Sequence, residues 1–295
     1  MKKIIGASLV FGLLIACQGP NGTEVNGEEK SDQSLKQAPE APSLDLAWET
    51  EASLITNESV LYYPQGKHLF VSCINGQPLD KDTNGYIAIV DLEGNIVNSQ
   101  WATGLHAPKG MCVSNGRLFV SDIDRIVSFS LTNPADKYVV EVPGSQFLND
   151  LTPGLNGVYF SDMKTGHLYY LEGMVVHTIN EDLAGLNGLA FFNQSIYALS
   201  NNGLQRLSVG GEVMETISAE MSGGDGLIVL DDSRFIMSRW QGEVWYVKNG
   251  EATQLLDSKA EEIQTADIGF DPMSNTLYVP RFFANKVSAY KVSGL

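Results

Sequence analysis

Apolar residues recur along this chain in short runs broken by Gly, Asn, Asp and Ser, and the runs keep a period. From Lys109 onward a polar residue opens such a run five times: Lys109-Gly-Met, Asn149-Asp-Leu, Asn187-Gly-Leu, Asp225-Gly-Leu and Asp267-Ile-Gly, at intervals of 40, 38, 38 and 42 residues. Glu58-Ser-Val, 51 residues before Lys109, is a sixth member with an insertion behind it. About thirteen residues after each opening comes a second apolar run: Leu69-Phe-Val-Ser72, Leu118-Phe-Val-Ser121, Val158-Tyr-Phe-Ser161, Tyr197-Ala-Leu-Ser200, Phe235-Ile-Met-Ser238 and Leu277-Tyr-Val-Pro280. Turn pairs such as Asn115-Gly116 and Asn156-Gly157 stand just before some of them, which is hairpin chemistry.

Third strands are predicted over residues 86–91, 125–130, 167–172, 204–208, 243–248 and 286–291, and weaker fourth strands over 97–102, 138–142, 175–179, 214–217 and 253–256. A repeat of about forty residues built from four short strands predicts an all-β, six-bladed β-propeller with four-stranded blades. The sixth blade has only three strands of its own before Leu295. A strand over residues 48–55 has no hairpin partner, so the last blade is expected to be closed by this N-terminal strand, which removes an exposed edge. Seven blades are the alternative, but no seventh opening is found.

The ends of the chain read differently. Lys2 and Lys3 precede thirteen mostly apolar residues, Ile4 to Ala16, and the stretch reaches Leu14-Ile15-Ala16-Cys17. A charged start, a short apolar stretch and a small residue before Cys make residues 1–16 a lipoprotein signal peptide, too short for a spanning helix, with Cys17 as the lipidated residue. Residues 17–44 are rich in Gly, Asn, Glu, Ser and Gln and read as a disordered tether, leaving 45–295 for the propeller. The expected location is outside the cytoplasm, periplasmic or at the cell surface and on the outer membrane by the residue after Cys17, with the lipid as the only membrane contact. A monomer is expected.

Net charge changes the list of partners. The formal charge is −16 and no Lys/Arg run follows the leader, which argues against nucleic acid, because phosphate binding needs clustered cations. Beyond Cys17 only Cys73 and Cys112 exist, both in predicted strands, and two packed thiols are favoured over a disulfide.

If each opening residue starts the innermost strand of a blade, six polar side chains converge on one mouth of the central channel. Glu58, Asn187, Asp225 and Asp267 are hard oxygen donors of the kind calcium, magnesium or manganese prefers, whereas a zinc site more often uses His and Cys. Lys109 brings an ammonium towards the same mouth. Arg239 and Arg281, just past the second strands of blades five and six, bring guanidinium groups near it. A mixed ring of acids and cations suits an anionic ligand as well as a metal.

With these residues in place, the chain resembles the gluconolactonase and senescence-marker-protein (regucalcin) family of six-bladed propellers from about Leu44 to Leu295. The resemblance is carried by Glu58 in Asn57-Glu-Ser-Val-Leu-Tyr-Tyr-Pro64, Asn187 in Leu-Asn-Gly-Leu189, Asp225 in Gly-Asp-Gly-Leu227, and Asn149 in Phe147-Leu-Asn-Asp150. It implies a divalent cation, calcium first and magnesium, manganese or zinc otherwise, held by Glu58, Asn187 and Asp225. It further implies lactonase-like hydrolysis of a small lactone or ester, with Asp225 taking a proton from water and Asn149 orienting substrate. Lys109, Asp267 and Arg239 lie outside the family pattern and are assigned to substrate. The alternative function is a non-catalytic propeller that binds a small anionic ligand or a protein partner.

Two further signals remain open. Asp80-Lys-Asp82-Thr-Asn84-Gly85, with Asp91 at position 12, has the spacing of a calcium loop, but no helices flank it, so a polar hairpin turn is the other reading. Trp101, Trp240 and Trp245 are expected between blades, with Trp240, beside Arg239, the one placed to line the mouth instead. No Gly-x-Ser-x-Gly elbow is present for a serine nucleophile.

Overall fold

A computed structural model describes residues 41–295. The expected signal peptide, Cys17 and most of the expected tether lie outside the described residues. Among these residues no helix is long and apolar enough to cross a membrane.

Twenty-four strands form six antiparallel sheets of four, arranged as a six-bladed β-propeller. The inner strands are Asn57–Tyr63, Pro108–Ser114, Leu148–Pro153, Leu189–Phe192, Leu227–Asp231 and Gly269–Asp271. Each is followed by its second, third and outer strand in sequence order, except in the last blade. There the outer strand is Ser43–Glu49, paired antiparallel with Lys286–Ser293. The ring is therefore closed by the N-terminal strand, as expected, but that strand begins two residues before the expected start of the domain and ends at Glu49 rather than Ile55. Residues 51–56 turn instead, because Leu54 is buried in the core and Thr56 takes a positive φ of 46°, which ends an extended run.

The core lies between blades. Phe70, Ile87, Met111, Phe119 and Phe129 join the first two blades or face the third, while Val71, Tyr86, Tyr278 and Val287 join the first and last. Alternation along each strand puts one apolar set on each face of every sheet, so each blade is buried on both sides by its neighbours. Large buried side chains of this kind contribute about 1.5–3 kcal/mol each before entropy is counted. Cys73 and Cys112 are free thiols within these layers, and burial pushes the Cys73 thiol up to about 12.

Around the channel the inner strands approach closely. A Cβ on Gly110 would lie 2.6 Å from the Asp150 Cα, and one on Gly188 would lie 2.1 Å from the Asp225 carbonyl oxygen. These glycines after ring residues are there for close approach, and neither has a positive φ.

Serines at the second-strand ends fasten blades together. Ser238 Oγ donates to the carbonyl of Ala266 in the next blade at 2.6 Å and receives the Gly226 N–H at 2.8 Å. Ser121 donates in the same way to the Asn149 carbonyl. Ser200 is one residue out of this register and bonds Gln205 instead.

Candidate site at the channel mouth

The serine contacts identify equivalent positions in different blades. Ser121 bonds the carbonyl of Asn149, and Ser238 bonds the carbonyl of Ala266, so Ala266 is the sixth ring position and not Asp267. Ala266 is buried against Ile74, Ala107, Ile123 and Phe282. Asp267 sits one layer deeper, level with Ser59, Gly110, Asp150, Gly188 and Gly226. Its carboxylate accepts the Ser59 hydroxyl at 2.6 Å, and its backbone pairs in parallel with blade one. Asp267 and Asp150 line a separate cavity of about 290 Å³ among the inner strands. Counting from apolar runs misplaced Asp267 because blade six opens with Ala266, which carries no polar mark.

The other five ring residues come together. Glu58, Lys109, Asn149, Asn187 and Asp225 all line one cavity of about 530 Å³ at the mouth. Asn187 Nδ2 donates to Asp225 Oδ1 at 3.0 Å and faces Met163 Sδ at 3.9 Å. Glu58 Oε2 and Asn187 Oδ1 are buried and have no hydrogen-bond partner. Buried acceptors without donors are costly, and such groups call for an explanation such as an ion.

Charge in the channel is unbalanced. Burial, with Asp225 nearby, raises the Glu58 carboxyl well above its usual range, and Lys109 offsets this only in part. Burial and the Asp267 charge push Asp225 up to about 7, against the Asn187 bond that lowers it. Burial likewise takes Asp267 up to about 6 and Asp150 well above the ordinary carboxyl value. Four buried acids thus face each other with one buried lysine among them, and each resists ionisation unless a cation is supplied.

Lys109 is not that cation. Its Nζ donates to the carbonyls of Pro78 and Ala107, both at 3.0 Å, and lies 4.5 Å from the centre of the Phe147 ring. It forms no ion pair within 4.0 Å, and burial lowers it to about 8. The ammonium is held by a carbonyl of the insertion loop that carries Pro78 and by the Ala107 carbonyl, and its charge only partly relieves Glu58. Arg239 is also turned away: it bonds the Glu220 carbonyl, pairs with Glu243 at 3.5 Å and lies over Trp245, outside the mouth cavity. Arg281 is buried beneath the surface and is likewise absent from the lining.

The cavity has an aromatic rim that the ring pattern did not reveal. Trp240, 37% exposed, stands 4.6 Å from Phe282 and 6.1 Å from Phe283, and Phe282 is 4.8 Å from Phe283, all near-perpendicular at 73–87°. Phe147 and Met163, from blade three across the ring, complete the lining with Ile74, Gln77 and Pro78. A sequence signal for these existed. Ile74, Met163, Trp240 and Phe282 each follow directly on the end of a second strand, where an apolar residue leaves the sheet and points at the mouth.

The donor set of Glu58, Asn187 and Asp225 fits a hard cation: three oxygen-bearing side chains on one floor, two with orphaned acceptors. It does not reach a classical three-acid cluster, since among the described residues no three of His, Cys, Asp and Glu are close enough to hold a metal. Residues 80–84 form an exposed polar loop that leads into the strand Gly85–Asp91, so Asp91 stands at the far end of a strand from it. Asp91 is taken up by Glu93 and Asn95, Asp82 bonds Asn84, and Lys81 pairs with Asp124.

No protein-family profile matches the sequence, and no curated protein matches it significantly. Solved structures do. Virginiamycin B lyase from Staphylococcus aureus, as a catalytically inactive variant with quinupristin, superposes with a TM-score of 0.59 at 13% identity, covering 85% of this chain and 99% of that one. A streptogramin B lyase gives 0.61 at 10% identity, with coverage of 86% and 98%. A Bacteroides thetaiotaomicron protein of unknown function gives 0.61 at 10%, with coverage of 86% and 76%. At these identities the likeness establishes the six-bladed propeller fold. The gluconolactonase and regucalcin assignment is not specifically supported by it.

Proposed function

We propose that the mouth cavity is a small-molecule site that holds a divalent cation on Glu58, Asn187 and Asp225 and hydrolyses a small lactone or ester. The observation that carries this is the pair of buried, unpartnered oxygens, Glu58 Oε2 and Asn187 Oδ1, on a floor shared with Asp225. A bound divalent cation supplies Lewis-acid polarisation of a carbonyl and a water of lowered pKa. The side chains of the chain do the rest. Asn187 fixes the Asp225 carboxylate through Oδ1, leaving its second oxygen to accept a proton from the attacking water. Asn149, on the same lining, offers a carboxamide to orient the carbonyl. The surrounding apolar wall limits water, which strengthens every polar contact on the floor.

The lyases with this architecture are named for small antibiotics, and that is consistent with a mouth that takes small organic molecules. Their reaction is not carried over. The alternative of an anionic ligand rests on Lys109 alone, whose ammonium donates to two carbonyls, because Arg239 stands outside the cavity. The export leader read from the sequence supports placement outside the cytoplasm.

The test is calorimetric titration of the full chain with calcium, magnesium and manganese, alongside Glu58→Gln, and hydrolysis of a lactone panel with and without chelator. Binding that Glu58→Gln abolishes, together with chelator-sensitive turnover, is expected. No heat at millimolar metal and no turnover on any lactone would discard the proposal.

A further inference from the structure

Resting on the small-molecule reading above, we infer that the ligand is a neutral molecule with an aryl arm: its carbonyl end meets the floor of Glu58, Asn187 and Asp225, and its ring enters the corner made by Trp240, Phe282 and Phe283. Three observations combine. The first is the corner itself. Its rings stand 4.6–6.1 Å apart at 73–87°, so a fourth ring can meet a face and an edge together, the arrangement that the aromatic quadrupole favours. Phe283 packs on the buried Phe282 and is 61% exposed, so a ring entering the corner removes its free face from water.

The second is the opposition of chemistries. A cavity of about 530 Å³ suits a ligand of modest size. Its apolar wall is Phe147 and Met163 of blade three, Trp240 of blade five and Phe282 and Phe283 of blade six, and its buried, unpartnered polar atoms are on the floor. A polyhydroxylated sugar lactone would bring several hydroxyls against Phe147, Met163, Trp240 and Phe282, where no partner exists for them, and each unmet polar group is penalised. An aryl arm matches the wall, and one carbonyl matches the floor.

The third is the sign of the lining. Glu58 and Asp225 are its acids, and its one cation, Lys109, already gives its ammonium to Pro78 and Ala107. A carboxylate on the arm would give up its hydration to the rings of Trp240, Phe282 and Phe283, which offer it no cation.

The experiment uses three lactones that share one ring: γ-phenyl-γ-butyrolactone, its γ-methyl counterpart and its γ-carboxylate counterpart. Binding to the full chain is read by tryptophan fluorescence, and hydrolysis is followed separately. The phenyl lactone is expected to bind about 30-fold more tightly than the methyl one, and the carboxylate not at all, given the size of aromatic contacts. Phe283→Ala, at an exposed position, is expected to cut the preference for the phenyl over the methyl lactone about tenfold. Trp240→Phe removes the local fluorophore and identifies which signal reports the site. Equal binding of all three lactones, no binding of the phenyl lactone, or a preference untouched by Phe283→Ala would overturn the inference. Binding of the phenyl lactone without turnover supports the inference and sinks hydrolysis instead. Turnover without aryl preference does the reverse.

Discussion

Asn187 Nδ2 donates to Asp225 Oδ1 across 3.0 Å and so joins the inner edges of blades four and five at the floor of the mouth. The bond turns the Asn187 carbonyl oxygen into the cavity with no partner of its own. One amide therefore ties down a carboxylate and leaves a buried acceptor on the floor without a donor.

Asn187→Ala should leave Asp225 Oδ1 without its donor. A buried acceptor in that state costs about 1–3 kcal/mol. Thermal unfolding should show a lower Tm, by about 2–4 °C per kcal/mol for a domain of this size. An unchanged Tm would mean that water replaces the amide freely.

Ser238→Ala removes the hydroxyl that bridges Gly226 N–H and the Ala266 carbonyl. Both groups are buried between blades, so a loss of about 1–3 kcal/mol is expected in denaturant unfolding, with no change in m. Ser200→Ala, which breaks bonds only within its own blade, to Gln205 Oε1 and from the Asn202 N–H, serves as the comparison.

Lys109→Met keeps the stem length and deletes the ammonium. The carbonyls of Pro78 and Ala107 lose their donor, and the insertion loop keeps only the exposed Lys81–Asp124 pair as a side-chain tie to blade two. Limited proteolysis should cut within residues 76–84 faster than in the parent while the rest of the propeller resists. Equal cleavage rates would show that the loop is held by other contacts.

Removing residues 41–50 takes away the outer strand of the last blade. The Lys286–Ser293 edge is then unpaired, and the Trp48 indole no longer reaches the Leu92 carbonyl. An open sheet edge invites association between copies. Size-exclusion chromatography should show aggregated or multimeric protein, and a monodisperse, fully folded product would count against ring closure as a requirement for stability.

Glu243 supplies a pH dependence. Burial alone would raise its carboxyl, but bonds from Lys259 and Trp245 and the nearby Arg239 outweigh it, and the folded value lies below the ordinary 4.5. The unfolded chain then binds the proton more tightly, so this group stabilises the fold above 4.5, and the contribution is lost as pH falls through the lowered folded value. Glu243→Gln should therefore lower Tm at neutral pH, and the gap should close on acidification. A gap independent of pH would assign the effect to packing.

Blade count, strand order and closure by an N-terminal strand are determined by sequence alone, because apolar runs at a period of about forty can bury both sheet faces only by packing blade on blade. The ring residues Glu58, Lys109, Asn149, Asn187 and Asp225 are legible for the same reason: each marks the start of an inner strand. Asp267 is the exception, since the true sixth position is Ala266, and an alanine gives no polar signal one residue earlier. What only the tertiary structure decided is direction. Whether Lys109 faced the acids or the Pro78 carbonyl, and whether Arg239 or Trp240 entered the cavity, depended on loops and neighbouring blades that touch across the ring. Strand periodicity sets which residues reach the channel mouth. The partners waiting there, brought from distant parts of the chain, set where each side chain points.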